Sequence, residues 1–242
     1  MSEDPNLMPP KIAAADHAHA TVRAGLSAIP FAGGAAMEIF NAVITPPIER
    51  RRQQWMETVG SAIEQLQKTD ANIVETLQNN EKFQSVLLQA SWAAVRNHQR
   101  AKLDGLRNAV LNAAQGFKAS ADLQLLLVRY VDELTPAHLL VMSFFVKHEG
   151  DVAQLESYQK LFAAFSERTQ QKIDGLFFKL ACDDLKARSL VRISNDLQDF
   201  PGLYEVTSLA IEKPSSNPKI IVTEVGRAFF EFVLTDPPRF AK

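Results

Sequence analysis

The chain has 242 residues, of which 46% are hydrophobic and 22% charged, and its formal net charge at pH 7 is −2. This composition is typical of a folded globular protein, so extended disorder is not expected. The nearly balanced charge excludes attraction to nucleic acid or anionic lipid by the chain as a whole, so any such binding requires a local basic patch.

Residues 1–12 are acidic and contain proline, which predicts a disordered tail. They lack the basic and apolar regions of a secretory signal, so we expect a cytoplasmic protein, either free or peripheral to the inner membrane. The single cysteine, Cys182, excludes an internal disulfide and fits a reducing compartment. Its apolar neighbours predict a buried thiol.

Residues 13–48 are expected to form the first structured segment. Positions 24–48 are almost entirely apolar, with Glu38 as the one charge, and the segment is interrupted by Pro30, Gly33 and Gly34. Two apolar arms around a proline and glycine turn predict a helical hairpin. The second arm is expected to end before Pro46 and Pro47, because proline interrupts helices.

The length of this hairpin argues against a fixed membrane span. A helix needs about 20 residues to cross a hydrocarbon core of ~30 Å, and Glu38 at its centre would cost roughly 3 kcal/mol. Contact with a membrane surface, or packing inside the protein or an oligomer, remain as alternatives. The residues predicted to contact a membrane or partner are Ile29, Phe31, Ile39, Phe40, Arg50, Arg51, Arg52 and Trp55.

Residues 49–116 predict a region of long amphipathic helices. Its first helix has apolar residues at helical spacing: Trp55, Val59, Ile63 and Leu66. Asn80 is a predicted N-cap, and positions 81–114 predict one long helix or two nearly collinear ones that stop at Gly116. The polar face of this stretch predicts either a binding surface or interhelical hydrogen bonds, through Arg96, Asn97, His98, Arg100, Lys102, Arg107, Asn108 and Asn112.

Residues 117–242 predict a winged-helix-like module. Thr135 and Pro136 form a helix start signal, and Thr223 is expected to cap the last helix. A β-hairpin is predicted from positions 203–212 and 219–224, which are rich in β-branched residues. The helix at 170–186 precedes this hairpin. Its predicted inward side chains are Ile173, Leu176, Phe177, Leu180 and Leu185.

In a winged-helix module, the helix before the hairpin corresponds to the recognition helix. DNA contact would use its basic residues: Lys172, Lys179, Lys186, Arg188 and Arg192. The same stretch contains three acidic residues, Asp174, Asp183 and Asp184, so its basic character is weak for a DNA reader. A protein-interaction or purely structural module is the other interpretation.

The chain contains no P-loop, dinucleotide fingerprint, nucleophile elbow, HExxH or CxxC pattern. His17 and His19 are two residues apart, whereas metal ligands on a helix prefer a spacing of three or four. We therefore predict no catalytic residues, no metal and no cofactor.

Three stretches resemble the abortive-infection alpha family of bacterial proteins. They are AIPFAGGAAMEIFNAVITPPIERRRQQW (28–55), NEKFQSVLLQASWAAVRNHQRAKLDGLRNAVLNAA (80–114) and IVTEVGRAFFEF (221–232). The resemblance extends over most of the chain and implies a role in phage defence. It implies no catalytic residues.

The expected fold is mainly α: an apolar helical hairpin and long amphipathic helices, then a winged-helix-like module with a small β-hairpin. The expected function is non-enzymatic contact of the apolar segment with a membrane surface or a protein partner, in phage defence. The alternatives are a winged-helix regulator that binds DNA and a helical adaptor that forms homo-oligomers.

Overall fold

A computed structural model describes residues 34–155, 157–193 and 220–236. The chain divides into two compact units, Met1–Glu49 and Arg50–Lys242. The described parts are mainly helical with a small antiparallel sheet, which confirms the predicted fold class at that level. The predicted tail at 1–12, the first arm of the apolar hairpin and the strand at 203–212 lie outside the described residues.

The described helices are, in chain order, α1 (Gly34–Gln67), α2 (Ile73–Gln78), α3 (Glu81–Arg96), α4 (Arg100–Ala114), α5 (Ala121–Glu133), α6 (Pro136–Lys147), α7 (Glu149–Val152), α8 (Tyr158–Thr169), α9 (Gly175–Ala187) and α10 (Glu224–Phe229). A π-helical turn, Phe230–Leu234, follows α10. The strands are β1 (Val191–Ile193) and β2 (Ile220–Val222).

Helix α1 does not end where the sequence predicts. It begins at Gly34 and continues through Pro46 and Pro47 to Gln67. A proline inside a helix lacks the N–H that would bond to the carbonyl four residues earlier, which weakens a helix without forbidding it. The later part of α1 buries Trp55, Val59 and Leu66, as predicted from their spacing.

Helices α3 and α4 form an antiparallel hairpin and are not collinear. Residues 97–99 separate them. Lys82, in the first turn of α3, donates a hydrogen bond to the carbonyl of Ala119, which lies just beyond the end of α4. Arg96 at the end of α3 and Lys102 near the start of α4 both contact Asp132. The predicted N-cap at Asn80 is confirmed, because its Oδ1 accepts from the backbone N–H of Phe83 at 3.0 Å.

The small sheet pairs β2 with a strand that the sequence analysis did not identify. Strand β1 directly follows α9, and Val191 pairs with Val222 in an antiparallel register. Thr223 then caps α10 as predicted, its Oγ1 accepting from the N–H of Gly226 at 2.9 Å. A three-residue strand is too short for its alternating pattern to be recognised.

The described residues of the Arg50–Lys242 unit share a continuous hydrophobic core. Helix α4 packs against α3, α5 and the π-helical turn. The amide of Asn112 donates to the carbonyls of Glu231 and Phe232, at 3.2 and 3.0 Å, and the amide of Asn108 donates to the carbonyl of Val233 at 3.2 Å. Part of the predicted polar face therefore makes interhelical hydrogen bonds, one of the two alternatives considered for it.

Candidate interaction surfaces

The apolar segment is exposed where its side chains are described. Ile39 is 67% exposed and Val43 62%, and these residues are four apart on α1, so they lie on the same helix face. Ile29 and Phe31 lie outside the described residues, and so does the side chain of Phe40. Within the described ranges, no helix combines the length and the apolarity that crossing a membrane requires.

The basic residues that follow in the sequence are partly accessible. Arg50 and Arg52 are exposed and Arg51 is half-buried. Trp55, which was grouped with them, is only 4% exposed, and its indole N–H donates to Ser91 Oγ at 2.8 Å. The prediction of a surface contact for Trp55 is therefore wrong. Its ring packs in the core, and its hydrogen bond to Ser91 joins α1 to α3.

The predicted DNA-contacting residues do not share one environment. Lys172, Lys186 and Arg192 are exposed. Lys179 is buried, with its Nζ 3.1 Å from Asp183 Oδ2 and 5.3 Å from the centre of the Tyr158 ring. Its charge is thus balanced within the protein, and the prediction that Lys179 contacts DNA does not fit its position.

Arg188 is also engaged within the protein. Its guanidinium lies 3.5 Å from a carboxylate oxygen of Glu133 and 3.5 Å from one of Asp184, and it is stacked over the Tyr130 ring. Arg188 therefore connects α5 with the end of α9. Lys179 and Arg188, both predicted to contact DNA, are therefore held by carboxylates within the protein.

Helix α9 exposes apolar side chains instead of burying all of them. Leu176 and Leu180, which were predicted to point inward, are half-exposed. The buried stripe contains Phe178 and Cys182, which lie two positions after Leu176 and Leu180. It also contains Leu185, which was predicted to point inward. The buried Cys182 agrees with its prediction, and desolvation raises the pKa of its thiol well above the usual value.

A groove of about 630 Å³ runs between α3 and α5. Leu88 and Trp92 stand along it on α3, and they are 61% and 53% exposed. Leu125 and Val128 contribute from α5. The sequence analysis missed this surface, although Leu88 and Trp92 are four residues apart and off the buried stripe of α3, which is a detectable signal for an apolar surface.

Charged residues lie at one end of this groove. Arg96 Nη2 is 2.5 Å from Asp132 Oδ2, and Arg129 forms an ion pair with Glu133 at 3.4 Å. Behind them, the buried Lys102 donates to the backbone carbonyl of Asp132 at 2.6 Å. Desolvation lowers the pKa of Lys102, and the negative charge of Asp132 partly opposes this effect.

A hydroxyl, an imidazole and a carboxylate meet between α6 and α9. His138 Nδ1 lies 2.8 Å from Thr135 Oγ1 and 3.3 Å from the Thr135 backbone nitrogen, and Nε2 lies 3.2 Å from Asp184 Oδ2. Thr135 and His138 form a capping box at the start of α6. Because Nδ1 accepts from the Thr135 N–H, the proton is on Nε2 and is donated to Asp184. The arrangement therefore caps α6 and ties it to α9.

Burial lowers the pKa of His138. Desolvation lowers the pKa of its imidazole, the hydrogen bond and charge of Asp184 raise it, and the charge of Arg188 lowers it. No group of three His, Cys, Asp or Glu side chains suited to a metal ion occurs in the part of the chain that the structure describes.

Comparison with protein-family models, with curated proteins and with solved structures finds no match for this chain.

Proposed function

We propose that this is a non-enzymatic bacterial protein that binds the surface of the inner membrane reversibly through its apolar N-terminal segment. The observation that carries the proposal is the exposure of Ile39 and Val43 on one face of α1, followed in sequence by Arg50, Arg51 and Arg52. The resemblance to the abortive-infection alpha family adds phage defence as the physiological setting.

The pairing of apolar and basic residues is typical of interfacial helices. Burying an Ile or Val side chain contributes about 1.5–3 kcal/mol, and an Arg near anionic lipid contributes about 1 kcal/mol. A few such residues give reversible attachment, because stable anchoring needs more apolar surface or a second signal. Glu38, which is exposed on the same helix, opposes deep insertion.

Vesicle co-sedimentation of the full chain tests this proposal. We expect wild type to bind phosphatidylglycerol vesicles, and the Ile39→Glu/Val43→Glu variant to bind at least tenfold more weakly, since two carboxylates would replace the apolar contacts. An Arg50→Glu/Arg52→Glu variant should lose the preference for phosphatidylglycerol over phosphatidylcholine.

The matched control is Leu176→Glu/Leu180→Glu, which changes two half-exposed leucines on α9 and should bind vesicles like wild type. Equal binding of wild type and the Ile39→Glu/Val43→Glu variant would contradict the proposal. So would a loss of binding in the control of the same size.

The C-terminal part of the proposal is a winged-helix-like module that docks a partner or senses a trigger. Support comes from the order of helices α6, α8 and α9, then β1, β2 and α10. The exposed face of α9 contains Leu176 and Leu180. Lys179, on the same helix, is buried and paired with Asp183. These features favour a protein-docking role over the DNA-binding alternative, because DNA readers present polar and basic side chains.

A further inference from the structure

Helix α1 contains two consecutive prolines in its interior. Twelve helical residues precede Pro46 and twenty follow Pro47. Each residue inside an α-helix donates its backbone N–H to the carbonyl four positions earlier, and proline has no N–H to donate. The carbonyls of Ala42 and Val43 therefore lack the donors that an uninterrupted helix would supply. Both residues are exposed, so water can hydrate these carbonyls.

The missing hydrogen bonds are adjacent, which concentrates the weakness at one point of the helix. A proline ring also presses against the carbonyl four residues earlier, and sharp kinks in helices occur mainly at proline. Pro46 and Pro47 are the only prolines of α1. Bending at this pair therefore breaks fewer helical hydrogen bonds than bending at another interior position of α1.

The two sides of this proline pair differ in how they are held. Beyond it, Trp55, Val59 and Leu66 are buried, and the Trp55 indole N–H donates to Ser91 Oγ on α3 at 2.8 Å. Before it, the described side chains between positions 38 and 45 are all exposed. Contacts with the described residues therefore fix the direction of the later part of α1 and not that of the earlier part.

A joint at this position suits attachment to a membrane surface. An interfacial helix lies in the plane of the membrane, with its apolar face toward the acyl chains. In a rigid α1, the direction of Ile39 and Val43 would be set by the buried residues at the other end of the helix. A bend at Pro46 and Pro47 lets the apolar pair follow the membrane plane independently of the core.

We propose that Pro46 and Pro47 form a hinge in α1, on which positions 34–45 turn to lie on a membrane surface while Trp55 stays in the core. The purpose of the hinge rests on the proposed membrane binding. The hinge itself is a property of the free protein and is measured without lipid. Arg50 and Arg52 come soon after the hinge and are exposed, which keeps them close to the headgroups that the turned segment contacts.

Distances between paired spin labels test the hinge. Cys182 is buried and its thiol has a raised pKa, so labels attach selectively to introduced cysteines. Asn41→Cys/Gln54→Cys places the labels on either side of the prolines, and Gln54→Cys/Gln67→Cys places both labels beyond them. These positions are exposed, and the labels of each pair are thirteen residues apart, ~20 Å in a straight helix.

We expect the pair that spans the prolines to give a broader distance distribution than the control pair. Its maximum should be roughly 3 Å shorter for a bend of about 60°. Pro46→Ala/Pro47→Ala should restore a narrow distribution at ~20 Å, because alanine supplies the two missing N–H groups. Equal distributions for the two label pairs without the alanine substitutions would overturn the hinge.

Vesicle binding then tests the purpose of the hinge. Pro46→Ala/Pro47→Ala keeps Ile39, Val43 and the arginines, yet we expect it to bind phosphatidylglycerol vesicles about fivefold more weakly than wild type, because a helix held off the membrane plane loses apolar contacts. Equal or tighter binding of this variant would overturn the role of the hinge. A broad distribution without any vesicle binding would support the hinge and contradict the membrane proposal, whereas vesicle binding with equal distributions would do the reverse.

Discussion

At the scale of single residues, three buried polar side chains have specific partners. His138 joins the start of α6 to Asp184 on α9, and Asn108 and Asn112 satisfy carbonyls of the π-helical turn. A carbonyl left unsatisfied in the interior costs about 1–3 kcal/mol, so these amides stabilise the turn that they contact. His138, Asn108 and Asn112 therefore contribute to stability, and their burial needs no ligand to explain it.

The buried His138 makes stability depend on pH. Its pKa is lower in the folded protein than the usual 6.5, so the unfolded chain binds its proton first as the pH falls. The contribution of His138 to stability is complete above pH 6.5 and is lost as the pH falls toward the folded-state pKa. The slope from one such group is at most about 1.4 kcal/mol per pH unit.

Urea unfolding between about pH 7.5 and 5.5 measures this slope. We expect His138→Gln to flatten it relative to wild type, because glutamine at the same position preserves a capping box and does not titrate. His98→Gln, at an exposed histidine of the α3–α4 connection, is the control and should keep the wild-type slope. An identical slope in His138→Gln and wild type would show that His138 does not cause the dependence.

At the scale of elements, Gly226 sets how closely α10 approaches the chain after α9. A Cβ at this position would lie 2.0 Å from the carbonyl oxygen of Leu190, which is backbone and cannot move aside alone. The same carbonyl accepts the N–H of Thr223 at 3.2 Å. The sequence analysis identified Thr223 as the cap, and the close approach explains why glycine follows it.

Alanine substitution at two glycines tests this packing. Gly226→Ala should destabilise the protein by about 3 kcal/mol or more through the backbone clash. Gly60→Ala is the control: a Cβ there meets nothing within 4 Å, and alanine should stabilise α1 by about 0.5–1 kcal/mol. Thermal unfolding of both variants measures the difference. A Gly226→Ala protein as stable as wild type would contradict the close approach.

Features that depend on local sequence were predicted better than features that depend on contacts between distant residues. The caps at Asn80 and Thr223 and the start of α6 at Pro136 are confirmed, since each depends on residues within one helical turn. The hairpin of α3 and α4 was not predicted, because residues 97–99 contain neither proline nor glycine. The pairing of β1 with β2 and the contact of His138 with Asp184 join residues far apart in sequence, which no local pattern specifies.

The buried face of α9 shows a second limit of pattern reading. Two apolar stripes exist on this helix, and the one with Phe178 and Cys182 is buried while Leu176 and Leu180 remain exposed. Spacing alone does not choose between two stripes of similar hydrophobicity. The choice depends on neighbours such as Phe162 and Phe165, whose rings lie 5.4 and 5.0 Å from that of Phe178.

At the scale of the whole molecule, charge predicts weak attraction for nucleic acid. The net charge is −2, and Lys179 and Arg188 are paired with carboxylates. We expect duplex DNA to bind weakly even at low salt, with a shallow dependence of affinity on salt concentration, because few phosphates would be neutralised. Fluorescence anisotropy with a labelled duplex measures this. Tight binding that falls steeply with salt and disappears in Lys172→Glu/Lys186→Glu would support the DNA-binding alternative instead.

The contact between α4 and the π-helical turn constrains the order in which the protein folds. Asn112 and the Phe232 carbonyl are 120 positions apart in sequence, so the chain must close a long loop before this contact forms. During synthesis, α4 emerges from the ribosome well before the residues that complete its surroundings. Until then, the amides of Asn108 and Asn112 lack the carbonyls that they contact in the folded protein. The surroundings of α4 are therefore complete only after the π-helical turn has been synthesised.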